Sequence, residues 1–182
     1  SFCILFSIIN KSIEMILVFI DHSDSAIKKS SYEVLSYGAA LAQKMGTSAE
    51  GLILGTVNDD LSFLGSYGIS KIHQVSNEIL NQLDAQLYAK TIAEAVSLLQ
   101  AEIIVFSHNQ TGKAVAPMVS ARLKAGFVSG AVSLPDISDG FVVKKNVFSG
   151  KAFANVNIKS AIKIISLNAN SFQAKKTEGV AV

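Results

Sequence analysis

The sequence predicts a three-layer α/β fold, with a mostly parallel sheet between helices and antiparallel strands towards the carboxyl end. Three observations predict it. Continuous apolar runs, as strands buried on both faces require, stand at residues 16–21 and 103–106. Between them, strand-length segments alternate with helix-length amphipathic ones, the pattern of a parallel sheet covered by helices on both faces. From Phe127 the alternation stops, and strand-like runs follow one another with only turns between them.

Each element has its own signal. Residues 16–21, ILVFID, form the first strand, and the polar stretch after it offers Ser23, Asp24, Ser30 and Ser31 as helix caps. Tyr32, Leu35, Ala39, Leu41 and Ala42 then recur near helical spacing up to Met45, and Gly46 supplies the stop. Residues 49–54 read as a second strand ending at Gly55. NDDLSFLGSYG reads as a short capped helix closed by Gly65 or Gly68, with Phe63 and Tyr67 as packing residues. Residues 69–75 give a third strand. Residues 84–100 give a helix marked by Leu87, Ala89, Ile92, Ala95, Val96 and Leu99. Residues 102–107 give a fourth strand. Residues 111–123 give the next helix, with Val115, Met118, Val119 and Leu123 as its buried strip. The runs FVSGAVSLPD, GFVVKKNVFSG, KAFANVNI and AIKIISLN read as a meander or antiparallel extension of the sheet. Turns at Pro135-Asp136, Asp139-Gly140, Ser149-Gly150 and Lys159-Ser160 separate them.

Composition narrows the function classes. At 182 residues, one domain is expected. Hydrophobic residues make up 49% and charged residues 16%, so some faces are expected to be buried against a partner. A net charge of +2, with Arg122 the only arginine, argues against nucleic acid. Cys3 is the only cysteine, which excludes an intrachain disulfide and fits a reducing cytoplasm. His22, His73 and His108 lack metal-ligand spacing. SFCILFSIIN is too short to span a bilayer and has no basic flank, and MILVFIDH reads as a natural start. Residues 1–14 are therefore expected to be an early-start extension, the alternative being an extra strand. The domain proper is expected at 15–172, followed by a polar linker at 173–182.

The stretch richest in chemistry is SHNQTGKAVAP, which ends the fourth strand and opens a helix. Its Gly112-Lys113 pair evokes a phosphate-binding loop, but that motif needs a glycine where Ser107 stands and Ser or Thr where Ala114 stands. An NTPase is thereby excluded. A helix N-terminus at the carboxyl end of a parallel strand still presents free N–H groups and partial positive charge, and open α/β sheets bind ligands at such edges. Asn109, Gln110, Thr111, Gly112 and Lys113 are thus the candidate phosphate site. The alternative is that Asn109 or Thr111 simply caps the helix, Gly112 turns the chain and Lys113 is solvated. Asp21, His22 and Asp24 could form an acid/base pair, yet no nucleophile elbow accompanies them. Asp59-Asp60 reads as a pair complementing a helix dipole.

Taken in order, ILVFIDHSD, IIVFSHNQTGKAVAPMVSARL, VSGAVSLPD and VFSGKAFANVNIKSAIKIISLNANSF resemble the amino-terminal domain of the electron transfer flavoprotein alpha subunit. The resemblance rests on Thr111-Gly112-Lys113, Pro117, Ser120-Ala121, Phe148-Ser149-Gly150-Lys151-Ala152 and the strand opened by Lys163. It covers about residues 15–172. Met118 stands where the family often has arginine, and Gly130 where it often has aspartate. The loop Asn109 to Gly112 also resembles one in the family's beta subunit, where a related domain holds AMP.

The resemblance implies a Rossmann-like fold of the adenine nucleotide alpha hydrolase-like type. It implies a heterodimer with an electron transfer flavoprotein beta subunit. Such a complex carries electrons from flavin dehydrogenases, those of fatty acid β-oxidation among them, to the respiratory chain. FAD would be held mostly by a second domain of the full-length protein, leaving this chain to supply subunit and domain contacts and no catalytic residue. Two other readings stay open: a stand-alone AMP-binding module using Asn109 to Lys113, and a small hydrolase using Asp21 or His22.

Overall fold

The computed structural model describes residues 15–176, 179 and 181; the expected early-start extension at 1–14 lies outside the described residues. The most apolar run of the chain becomes the centre of the molecule. β1 (Ile16–Phe19) is buried along its whole length and pairs in parallel with β4 (Ala49–Leu54) on one side and β6 (Ile103–Ser107) on the other. Burial on both faces needs apolar side chains at every position, which is why the run does not alternate.

Beyond β4 lies β5 (Lys71–Val75), an edge strand. On the far side of β6 the chain adds β10 (Lys163–Leu167), parallel to β6, and β7 (Gly126–Ala131), parallel to β10. The antiparallel pairings are those of β8 (Val142–Val147) with β7 and with β9 (Ala152–Asn157). The order is β5-β4-β1-β6-β10-β7-β8-β9. The sheet is therefore mostly parallel with antiparallel strands near the carboxyl end. The four terminal runs are not one meander, however. The chain leaves β7, makes the β8–β9 excursion, and returns with β10 between β6 and β7. Apolar patterning gives the existence of these strands but carries no signal for pairing partners.

Successive residues point to opposite faces. Ile16, Val18, Ile103, Val105 and Ile165 face α1 (Lys29–Met45), whose Val34, Leu35, Tyr37 and Leu41 complete that core. Leu17, Phe19, Ile104, Phe106 and Ile164 face α2 (Ala85–Leu99) and α3 (Gln110–Leu123), which supply Ile92, Val96, Val115 and Val119. Gly38 lies against Val18; a β-carbon there would overlap Val18 Cγ2, so the glycine sets how closely α1 approaches the sheet. Met118, expected in the buried strip of α3, is exposed, and Ala116 takes the buried place instead.

The helix ends follow local chemistry. Asp84 caps α2 by accepting from the N–H groups of Gln86 and Leu87. Asp60 caps the 3-10 helix Leu61–Tyr67 through Ser62 N–H, and Gly46 and Gly68 close their helices in left-handed conformations. Phe63 and Tyr67 pack with Tyr32 of α1, at ring separations of 6.0 and 5.0 Å. The start of α1 differs from expectation. None of Ser23, Asp24, Ser30 and Ser31 caps it; the N-cap is Lys28, without a side-chain bond. Residues 22–27 are used instead by a short hairpin, β2 (His22–Ser23) and β3 (Ala26–Ile27), turning at Asp24 and Ser25. A second 3-10 helix, Glu78–Asn81, has no counterpart in the sequence reading.

Candidate functional site

The chain moves outward from β1 to β4 and β5, then crosses back through α2 to β6 on the opposite side of β1. β1 and β6 are thus adjacent strands whose following helices, α1 and α3, go to opposite faces. The crevice outside their carboxyl ends is the topological switch point, where doubly wound sheets place ligands. Here it is lined by the loop after β1 and the first turn of α3.

That turn is built by three residues. Asn109 is the N-cap, and its Oδ1 accepts from Gly112 N–H at 2.9 Å. The cap consumes one of the N–H groups that a helix N-terminus would offer a ligand. Gly112 packs against the end of β6 so closely that a β-carbon would overlap the carbonyl oxygen of Ser107. Thr111 is buried, and its hydroxyl receives Lys28 Nζ at 3.4 Å. Of the five expected site residues, Asn109, Thr111 and Gly112 meet in the crevice. Gln110 and Lys113 lie exposed.

The centre of the crevice is Asp21, which is buried. One carboxylate oxygen, Oδ2, receives both Lys28 Nζ at 2.8 Å and Asn109 Nδ2 at 2.7 Å. Asn109 Nδ2 also reaches Ser30 Oγ at 3.3 Å. The Asp21 backbone is fixed by Ser31, whose hydroxyl donates to the Asp21 carbonyl and accepts from its N–H. A buried carboxylate requires such partners, because unpaired it would be strongly penalised. The Lys28 ammonium at this turn is thus paired with the Asp21 carboxylate.

The sequence reading had grouped Asp21 with His22 and Asp24, and the fold separates them. His22 Nε2 donates to the carbonyl of Leu54, and its Nδ1 is buried without a hydrogen-bond partner. Asp24 sits at the hairpin turn with φ 50°. Asp59 accepts from Ile27 N–H at 3.0 Å, tying the hairpin to the loop after β4. Lys28 and Ser30, which complete the crevice, were missed as site residues. Their only signal is a lysine following the apolar Ala26-Ile27 pair, which marks nothing without the fold.

A second polar group lies one strand further along the same edge. His108 Nδ1 meets Ser166 Oγ at 2.9 Å, and Ser166 accepts from Gly130 N–H at 3.2 Å. Lys145 Nζ reaches Ser129 Oγ at 3.4 Å. Burial, then Lys113 and Lys145, lowers the pKa of His108 below the ordinary value. The imidazole is thereby biased towards its neutral form.

The comparisons agree with this architecture. The family model for the electron transfer flavoprotein domain matches residues 16–181. The chain is similar to an electron transfer flavoprotein subunit alpha of Clostridium acetobutylicum, 28% identical over 142 residues, covering 76% of this chain and 42% of that protein. It is similar to the subunit of the same name from Bacillus subtilis, 20% identical over 168 residues, covering 90% and 50%. It is also similar to an acryloyl-CoA reductase electron transfer subunit beta of Anaerotignum propionicum, 27% identical over 120 residues, covering 65% and 33%. The chain spans half or less of the length of these curated relatives. Among the described residues no helix is long and apolar enough to cross a membrane. With the family model spanning nearly all of the described residues, the chain belongs to the electron transfer flavoprotein domain family, and it resembles the amino-terminal domain of that family's alpha subunits.

Proposed function

We propose that this chain is the contact-forming domain of an electron transfer flavoprotein alpha subunit. It pairs with a beta subunit in a cytoplasmic complex that carries electrons from flavin dehydrogenases to the respiratory chain. FAD is held by residues outside this chain, and the chain contributes no acid, base or nucleophile to a reaction. The observation that supports this division is the switch-point crevice. Its buried carboxylate, Asp21, takes the place where an anionic ligand would sit and engages both Lys28 and Asn109. A domain whose ligand crevice is filled by its own ion pair is suited to docking rather than to cofactor chemistry. The names of its relatives, which describe electron-transfer subunits, support the same reading.

The stand-alone AMP module has one feature in its favour. Lys28 Nζ and Thr111 Oγ1 lie together at the first turn of α3, and they could receive a phosphate if Asp21 turned away. Calorimetric titration of the purified chain with AMP, and separately with FAD, tests both readings. No binding of either ligand at micromolar concentration is expected. Micromolar AMP binding, lost in Thr111→Ala and Lys28→Met, would replace the docking reading with the nucleotide module. Gly112→Ala is unsuitable as a probe, because its β-carbon would collide with Ser107.

A further inference from the structure

We propose that the cavity at the amino-terminal end of the sheet binds a small organic carboxylate, its apolar body on Phe141 and Met45 and its charged end between Lys44 and Lys159. This site goes beyond the heterodimer reading and does not depend on it. The cavity, of about 530 Å³, opens where α1 ends at Met45 and β10 begins at Lys163. That is the end of the sheet opposite the switch-point crevice. The loop from Ile137 to Phe141 and the end of β9 complete its wall.

The floor of the cavity is part of the core. Phe141 and Ile158 are 5% and 6% exposed, and Ile158 N–H donates to the Phe141 carbonyl at 2.9 Å. Met45 and Ile137 pack against the same apolar cluster. Ile158 also lies against the start of β7, where a β-carbon on Gly126 would overlap its Cγ2. Asn157 stands above this floor. Its Oδ1 accepts from Phe141 N–H at 3.3 Å, which fixes the amide and leaves Nδ2 to donate. A preformed concave space of this size, apolar below with a few polar groups above, has the form of a small-molecule site.

Charge selects the ligand. The lining carries Lys44, Lys159 and Lys163 and no carboxylate. Lys44 Nζ donates to the carbonyl of Pro135 at 2.7 Å, which positions the ammonium without neutralising it. Lys163 Nζ donates to the carbonyl of Ala161 and stands 5.6 Å from the centre of the Phe141 ring. Asp136 lies near Lys44, but its Oδ1 accepts from the N–H and the hydroxyl of Ser138, and it does not line the cavity. A phosphate is disfavoured here. Among the described residues no helix starts at this lining, and the carboxyl end of α1 brings the negative pole of its dipole. A monoanion is opposed less by that pole. An inorganic anion would leave the apolar floor bare, whereas an acyl or aromatic carboxylate satisfies floor and lysines together.

The test is a fluorescence titration of the purified chain with anilinonaphthalene sulfonate, an aromatic monoanion, followed by displacement. Micromolar binding of the probe is expected. Octanoate is expected to displace it; octanol and acetate at the same concentration are not, since each lacks one half of the ligand. Lys44→Gln with Lys159→Gln is expected to weaken probe and octanoate about tenfold, the cost of one charged hydrogen bond. Added salt is expected to weaken the unaltered chain's binding more than the variant's. Lys90→Gln with Arg122→Gln removes cations from the groove between α2 and α3 and serves as the control, expected to bind as the unaltered chain. All four side chains are exposed, and circular dichroism with a melting curve verifies folding. In nuclear magnetic resonance spectra, octanoate is expected to shift the Phe141 ring and Met45 methyl signals. Three results would each overturn the proposal: no probe binding, displacement by octanol as readily as by octanoate, or a Lys44 and Lys159 variant that binds within twofold of the unaltered chain. Displacement by inorganic phosphate at lower concentration than by octanoate would overturn it in favour of a phosphate site.

Discussion

Asn109 donates to the Asp21 carboxylate at 2.7 Å across 88 residues of sequence, while its own carbonyl oxygen caps α3. One side chain thus joins the ends of β1 and β6, starts a helix and supports a buried charge. Asn109→Ala is expected to cost about 1–2 kcal/mol, the range for losing a cap. Asn109→Asp separates the two roles. It keeps the cap but sets a second carboxylate against Asp21, so it is expected to be no more stable than the alanine variant. Urea denaturation measures both, and an aspartate variant as stable as the unaltered chain would remove Asp21 from the argument.

Gly112→Ala is expected to destabilise the fold by at least about 2 kcal/mol, because helix and strand backbones must separate to admit the β-carbon. Gly150→Ala, where nothing lies within 4 Å of the added carbon, is expected to cost less, its penalty being the left-handed conformation alone. Parallel denaturation curves decide the order.

Tyr37 lies fully buried in α1 and donates to the carbonyl of Ser133 at 3.0 Å. Burial raises its pKa far above the ordinary value of 10.0. A raised folded-state value means that the unfolded chain releases its proton first. This contribution is therefore whole below pH 10 and lost progressively above it. Tyr37→Phe is expected to cost about 1 kcal/mol at neutral pH and to give a shallower loss of stability above pH 10. Melting temperatures measured from pH 7 to 11 give the comparison.

His108 works in the opposite window. Its folded pKa is lowered by burial, Lys113 and Lys145. Below the ordinary value of 6.5 the unfolded chain binds the proton more readily, so stability falls as pH drops from 6.5 towards the folded value. His108→Gln is expected to flatten that slope. In nuclear magnetic resonance titrations, the His108 ring is expected to titrate below 6.5, and Lys113→Met or Lys145→Met to move it upward. A ring titrating above 6.5 would contradict the assignment.

The sequence by itself determined the elements that are buried on every side or bounded by strong local chemistry. ILVF and IIVFS could only be central strands, because no solvent face tolerates them. Asp84 and Gly46 fixed helix ends through bonds to residues within one turn. The candidate phosphate loop was legible as a strand-to-helix turn, with Asn109 among its expected caps. What the tertiary structure alone decided is everything carried by pairing across distance. The return of β10 between β6 and β7 leaves no trace in periodicity, since a strand reads the same beside either neighbour. The union of Asp21 with Lys28 and Asn109 is equally silent in the sequence, where Asp21 appears beside His22 and Asp24. Local patterns record what a residue's own segment requires of it. Which segments meet is set by how the chain buries both faces of the sheet, and that choice placed Asn109 of the candidate phosphate loop against the buried Asp21 carboxylate.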